Sequence, residues 1–412
     1  MKIQVCDAVM GSGKTTAAIN MMNEQIDKRF IFITPFLAEV QRIKKSCAIR
    51  DFDEPSHSDE ARSKLDSLKY LLKNKSNIAS THALLKRYDE ATEHLIREGG
   101  YTLIVDEVVD VVEVLTVGEY SVQLMLDNEI VDVGEDGRVY WLDDSYPLDD
   151  SWSELMQTIK NGHVLMSNGK LMLWELPIEI FEAFDNVIIL TYMFDAQVQK
   201  YYYDLYGVEY EFIGTRKHNG NYEFCDLKEV SYNNDFKKLL HVYEDDKLNE
   251  IGDGEYALSV SWFRKELGRY YNKRSKRSKL PIEQLKANAM NMMRNRWNVR
   301  GGQAVWTTFD VARSFLTGNG YGKSFLSYNT RAVNDYGTRQ YLMYFVNVFF
   351  LVDVKQYFLE HQIPILEEEY ALSMMLQWIW RSAIRNGKEI WIYVPSKRMR
   401  RLLKEWLNEG EM

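Results

Sequence analysis

The chain has 412 residues, 46% of them hydrophobic and 27% charged, which is enough apolar material for two or three globular domains. A net charge of −9 excludes a protein that coats nucleic acid with its whole surface and leaves a local basic groove open. There is no run of about 18 apolar residues, so no membrane span is expected. Met1 to Gln4 lead straight into a strand, which reads as no secretory signal. Cys6, Cys47 and Cys225 lie far apart, as expected of reduced thiols in a cytoplasm, and with histidines that lack ligand spacing they give no zinc site.

In chain order, Ile3 to Cys6 read as a short buried strand, Ala8 to Thr16 as a Gly-rich turn, and Ala17 to Met22 as the start of a helix. Strand, turn, Gly-Lys-Thr and helix are the context of a phosphate-binding P-loop. Gly11 and Gly13 let the backbone aim N–H groups inward around Ser12, and the helix beginning near Lys14 points its positive end at the same anion. Lys14 supplies a mobile cation for the β- and γ-phosphates of ATP, the Thr15 hydroxyl a ligand for Mg2+, and Thr16 continues the cradle. Phe30 to Thr34 form an apolar strand ending in Thr34-Pro35, and Ile78 to Thr81 a strand that runs through His82 into a helix. Each of these ends is either a plain strand terminus or a contact to a nucleic-acid backbone. Tyr101 to Val105 stay apolar on both faces, as a central parallel strand does. They end in Asp106-Glu107, which serve either as a Mg2+ ligand and general base or as acids capping the next helix. From Glu113 to Gly169 the pattern changes to short strands, Tyr120–Leu124 and Arg138–Leu142, and reads as an insertion. Asn186 to Thr191 are another buried strand.

Gly214 to Gly220 are polar and flanked by glycines, the expected interdomain linker. A helical stretch follows from Asp235 to Asn249. Ser259 to Arg300 are rich in Lys and Arg, with Tyr270, Tyr271 and Trp297 among them, either a nucleic-acid track or a solvated helical face. Ala304–Phe309 and Ser324–Tyr328 read as core strands, and the polar loop after them carries Arg331 and Asn334. Ala371 to Arg385 are helical in pattern, with Gln377, Arg381 and Arg385 spaced by four in one polar stripe. Guanidinium groups on such an apolar helix call for an anionic partner.

The Ala8-x-x-Gly11-x-Gly13-Lys14-Thr15 run resembles motif I of the superfamily 2 helicases, and Asp106-Glu107-Val108-Val109 resembles their motif II. Thr34-Pro35, Thr81-His82 and the Arg331 to Asn334 loop lie where that superfamily touches nucleic acid. Leu190-Thr191 lies where it carries motif III. Gln377 and Arg381 match the spacing of motif VI, whereas Trp380 replaces its Gly and Arg385 comes one residue late. The terminal blocks also resemble a group of small bacteriophage helicase-like ATPases.

The resemblance implies two tandem RecA-like P-loop α/β domains, residues 1–215 with a small β-containing insertion at about 113–169, and residues 216–412 with the basic segment at about 259–300. It implies an ATP- and Mg2+-dependent helicase or translocase. Glu107, Gln377, Arg381 and Arg385 are its catalytic residues, and single-stranded or forked nucleic acid is its partner, DNA above all. Phage replication proteins in the bacterial cytoplasm would work beside it. A packaging-type motor without unwinding activity, a small-molecule P-loop kinase and a non-catalytic ATP-dependent clamp are the alternatives.

Overall fold

The structure is a computed structural model that describes residues 1–47, 49–57, 63–143, 150–230, 235–273, 279–329 and 336–408. The chain folds into two α/β units, one of Met1–Ser231 with Leu351–Ile365, the other of Tyr232–Phe350 with Leu366–Met412.

In the first unit the main elements are β1 (Lys2–Asp7), α1 (Lys14–Glu24), β2 (Arg29–Thr34), α2 (Leu37–Ser46), α3 (Lys64–Lys73), β3 (Ile78–Thr81), α4 (His82–Leu85), α5 (Glu90–Gly99) and β4 (Tyr101–Asp106). Their ends follow local chemistry. The Ser63 side chain caps α3 by accepting from Asp66 N–H, and Asp89 caps α5 by accepting from Thr92 N–H. Gly100, left-handed at φ 63°, stops α5.

The insertion follows as β5 (Val112–Val114), α6 (Glu119–Asp127), β6 (Val131–Val133), β7 (Val139–Trp141), α7 (Asp150–Lys160), β8 (Val164–Ser167) and β9 (Leu171–Glu175). It ends at Glu175 and not at Gly169, because β9 pairs with β8 of the insertion. The chain then returns through α8 (Ile178–Glu182), β10 (Asn186–Thr191), α9 (Val198–Leu205), β11 (Glu211–His218) and β12 (Asn221–Cys225). Among the described residues the main sheet has seven strands in the order β12-β11-β1-β10-β4-β2-β3, parallel except for β12. β2, β4 and β10 are buried on both faces almost throughout, which is why they are continuous apolar runs without alternation.

Two expectations change here. Gly214 to Gly220 do not link domains: Gly214 to His218 pair with Asn221 to Cys225 in an antiparallel hairpin whose first strand also pairs in parallel with β1. A polar, Gly-flanked run reads equally as a linker or a hairpin tip, and only the sheet edge decides. Tyr120 to Leu124 are not a strand but part of α6, because Val122 and Met125, three apart, turn together into a small core with Ile130, Val139, Ile159 and Met172. The insertion therefore has its own apolar cluster.

The second unit contains β13 (Leu240–Val242), α10 (Asp246–Asn249), α11 (Val260–Tyr271), α12 (Pro281–Asn291), β14 (Ala304–Thr308), α13 (Asp310–Leu316) and β15 (Tyr341–Phe345). The chain then gives α14 (Val352–Glu360) to the first unit and comes back as α15 (Glu367–Ile379), β16 (Ile390–Tyr393) and α16 (Lys397–Asn408). Its sheet is parallel, in the order β13-β16-β15-β14.

Asp235 to Asn249 are not one helix, since β13 interrupts them. Ser324 to Tyr328 form no full strand, only a single bridge from Phe325 to Trp306. The helix expected to reach Arg385 ends at Ile379: Ser382 is extended, its hydroxyl donates to Ile379 O at 2.6 Å, and Ala383 N–H turns away to Arg339 O at 2.8 Å.

α14 is held on the first unit by the insertion. Tyr357 Oη donates to Glu175 at 3.0 Å, Tyr206 Oη donates to the other oxygen of the same carboxylate, and Asn168 Nδ2 donates to Glu360 at 2.7 Å. Burial pushes the Glu175 carboxyl up to about 6, against the pull of the two hydroxyl donors. The folded chain thus holds this proton more tightly than the unfolded one. The Glu175 contribution to stability is full below about pH 4.5 and is lost as pH rises through about 6. We expect Glu175→Gln to flatten that loss, so the melting-temperature difference between variant and wild type should shift in the variant's favour from pH 4.5 to 7 in thermal scans.

Candidate functional site

The C-terminal ends of β1, β10 and β4 carry the candidate site, where an open parallel sheet places its ligands. β10 lies between the other two, in register as Asp7–Thr191 and as Leu190–Asp106. It ties down both of its neighbours' exits, because Ala8 N–H donates to Thr191 O at 3.0 Å and Glu107 N–H to Leu190 O at 2.9 Å.

The turn from Ala8 to Gly13 enters α1 through Gly13, at φ 88° and ψ 13°. With Gly11 also left-handed, at φ 81°, the loop curls its N–H groups toward one side. Lys14 folds over this loop. Its ammonium donates to Ala8 O and, at 3.1 Å, to Val9 O, so it closes a ring that phosphate oxygens can reopen. Burial pulls Lys14 below its usual range, opposed by the acidic Asp106, Asp7 and Glu107.

Thr15 Oγ1 donates to Asp106 Oδ1 at 3.2 Å, across 91 residues of sequence. A hydroxyl and a carboxylate meeting in this way form a hard-oxygen pair suited to Mg2+, which draws its other ligands from water and phosphate. Among the described residues no cluster of three or more His, Cys, Asp or Glu makes a protein-only metal cage. Burial, then the neighbouring Glu107 and Glu39, push Asp106 up to about 7, while Lys14 and the Thr15 bond pull it back.

Glu107 sits at φ 64°, left-handed although not glycine. Such a backbone costs on the order of 1–3 kcal/mol and persists where its surroundings over-determine it. Here its own N–H bond to Leu190 and the bond from Val109 N–H to the buried Gln199 Oε1, at 3.0 Å, hold the turn.

Several residues of this site carry no sequence motif. The Asp7 carboxylate accepts Met193 N–H at 2.8 Å and Phe194 N–H at 2.9 Å, which fixes the turn after β10, where Met193 is left-handed at φ 57°. Burial pushes the Asp7 carboxyl up, and those two donors oppose it. Thr215 Oγ1 donates to Ser12 O at 2.9 Å, and Asn20 Nδ2 donates to Tyr222 O at 2.8 Å. An acid directly after an apolar strand is a visible signal for Asp7; Thr215 lies in the expected linker and Tyr222 just beyond it, and neither carries one.

His82 is buried and its Nε2 lies 3.1 Å from Asp106 O, so it steadies the end of β4. Thr34 is fully buried, and Pro35, Thr81 and Thr16 are half-buried. In the second unit Gln377 lies on α15, Arg381 just beyond its end and Arg385, exposed, on a half-buried 3-10 turn, so the three do not form one helical stripe. Arg331 and Asn334 lie outside the described residues, as do Arg274, Lys276 and Arg277. Within the basic segment Arg269, Lys273 and Arg296 pair with Glu266, Glu283 and Asp245, while Arg264, Lys265, Arg294 and Arg300 are exposed. Trp297 packs against Tyr341 and Tyr270 against Phe315, whereas Tyr271 is exposed.

Gly13 is constrained twice. Its φ belongs to glycine, and a Cβ placed on it would lie 2.2 Å from Cδ1 of the Tyr222 ring. We expect Gly13→Ala to destabilise the chain by about 2–5 kcal/mol from backbone and overpacking together. Adding Tyr222→Ala should recover the steric part only, measured as a coupling of about 1 kcal/mol or more in a urea-unfolding double-mutant cycle.

Residues 234–407 match the family model described as the YonV C-terminal Rossmann-like domain. The chain is 41% identical over 423 aligned residues to the SPbeta prophage-derived protein YonV of Bacillus subtilis (strain 168), with 98% of each chain covered. Among solved structures it superposes on Xpd4 of S. tokodaii with a TM-score of 0.42 and 12% identity, covering 98% of this chain and 94% of that one. On T4 UvsW the TM-score is 0.23 with 11% identity, covering 95% of this chain and 73% of that one. Neither superposition is close enough to assign a fold or an activity.

Proposed function

The chain belongs to the YonV family, and we propose that it is a nucleic-acid-stimulated ATPase acting as a helicase or translocase on phage DNA. One observation carries the reading: Thr15 and Asp106 meet at 3.2 Å beside a glycine-shaped loop over which Lys14 is folded. A triphosphate is the ligand whose chemistry uses all of them.

In this proposal the loop N–H groups and Lys14 hold the β- and γ-phosphates. Thr15 and Asp106 hold Mg2+, which supplies neutralisation of charge on the phosphate oxygens. Glu107 takes a proton from the attacking water, and its strained backbone keeps the carboxylate at the strand end. Asp7 links the strand that feeds the loop to the turn after β10, so a change at the phosphates reaches Met193 to Asp195 through two hydrogen bonds. Gln377, Arg381 and Arg385 are the second unit's candidates for stabilising charge on the γ-phosphate during turnover, supported by the match of Gln377 and Arg381 to the spacing of motif VI. The exposed arginines and lysines of residues 259–300 and the ends of β2 and β3 are the candidates for nucleic-acid contact. Among the described residues no helix is long and apolar enough to cross a membrane.

The test is ATP turnover with and without single-stranded DNA. Wild type should turn over faster with DNA, and Lys14→Ala should lose turnover in both conditions. Glu107→Gln should lower kcat about 10²–10⁴-fold while ATP still binds. Whichever of Arg381→Ala and Arg385→Ala removes the finger should cost on the order of 10³-fold or more in kcat. Turnover indifferent to DNA would point to a small-molecule kinase, and binding without turnover to a clamp. Strand displacement, measured separately, distinguishes unwinding from translocation or packaging-type motion.

A further inference from the structure

The β11–β12 hairpin does more than extend the sheet. It is fastened to the phosphate loop at two places and to the helix after it at a third: Thr215 Oγ1 donates to Ser12 O, the Tyr222 ring lies on Gly13, and the Tyr222 carbonyl accepts from Asn20 of α1. The ring is half-buried, with Gly13 beneath it, and the exposed Lys217 holds its ammonium over the ring, 5.8 Å from the centroid.

A nucleotide whose phosphates sit on the loop must extend its ribose and base away from it, and the base requires a flat apolar surface. At the start of α1 the hairpin offers one, a tyrosine ring held by its own backbone and by the glycine under it. The cation over that ring is carried by an exposed side chain, which a base displaces to the edge, where it attracts a base carbonyl or ring nitrogen.

We propose that Tyr222 stacks the base of the bound nucleotide on the face away from Gly13, displacing the exposed Lys217 to the ring's edge, so that the β11–β12 hairpin is the base subsite. This rests on the reading of the phosphate loop as a nucleotide site. Stacking uses the π-face that every base has and reads no hydrogen-bond pattern, so the subsite accepts adenine and guanine alike.

The experiment measures equilibrium binding of ATP, GTP and inorganic tripolyphosphate, each with Mg2+, to the full chain. The wild type should bind ATP and GTP with similar affinity and both more tightly than tripolyphosphate. Tyr222→Ala should weaken both nucleotides on the order of tenfold and leave tripolyphosphate unchanged, and Tyr222→Phe should retain wild-type affinity. Lys217→Ala, which leaves the packing on Gly13 in place, should give a smaller loss confined to the nucleotides. Equal weakening of tripolyphosphate by Tyr222→Ala would mean that the ring only props the loop and would overturn the proposal. Unchanged ATP affinity in both the Tyr222→Ala and Lys217→Ala variants would overturn it too. A wild type that binds neither nucleotide nor tripolyphosphate would overturn it together with the nucleotide site, whereas tripolyphosphate binding with no gain for nucleotides would overturn the base subsite alone.

Discussion

The contact between Thr15 and Asp106 depends on one arrangement, two strands ending on either side of a third. Neighbouring strands lie about 4.8 Å apart, so the ends of β1 and β4 are separated by about 10 Å. The glycine turn and the first residues of α1 span that distance over the end of β10. β10 receives hydrogen bonds from both flanking exits, at Thr191 and at Leu190, so the loop and the acidic pair share one base. Shifting β10 by one residue would move both at once. The site is therefore a property of the sheet order before it is a property of any side chain.

Around this contact the structure concentrates features that cost free energy elsewhere. Gly13, Glu107 and Met193 are all left-handed, and Lys14, Asp7 and Asp106 are ionisable groups set in low-dielectric surroundings. Each is offset locally. Two N–H groups serve Asp7, two carbonyls serve Lys14, and a hydroxyl serves Asp106. A ligand with negative oxygens and a divalent cation would relieve the same imbalance, with the anion replacing the carbonyls on Lys14 and the cation replacing the hydrogen on Asp106. Strain and buried charge at one strand edge, absorbed by a rigid sheet, form a pre-organised site.

The insertion gains a structural role from the packing. Its last strand ends in Glu175, the acceptor for Tyr357, and the turn before that strand supplies Asn168 for Glu360. A helix from late in the chain is thus built into the first unit by the segment that interrupts it. Hydrogen-bonded backbone joins this seat to the site: Val109 is held by Gln199, Leu176 N–H donates to Val111 O, and Val112 pairs with Glu175. A displacement of the acidic pair has a covalent and hydrogen-bonded route to α14, and α14 is continuous at both ends with the second unit's chain.

Much of this was legible in residue order, because its causes are local. Gly11-x-Gly13-Lys14-Thr15 after an apolar strand dictates a turn with left-handed glycines, and the unbroken apolar run ending in Asp106-Glu107 dictates a buried parallel strand with acids at its end. The strands β1, β2, β3 and β10 of the main sheet could be read for the same reason. Residue order did not decide features whose cause lies on a distant neighbour. Gly214 to Gly220 became a hairpin because β1 offered an open edge to β11, and Tyr120 to Leu124 became helix because Val122 and Met125 found a core. The turn at Ser382 cut the arginine stripe because Ala383 bonded to Arg339 and not back along the helix. Local sequence sets which backbone shapes are cheap. Which of them is adopted, and which residues from remote positions such as Gln199, Thr215 and Tyr222 come to serve one site, is set by hydrogen bonds and apolar contacts that exist only after the sheet has formed.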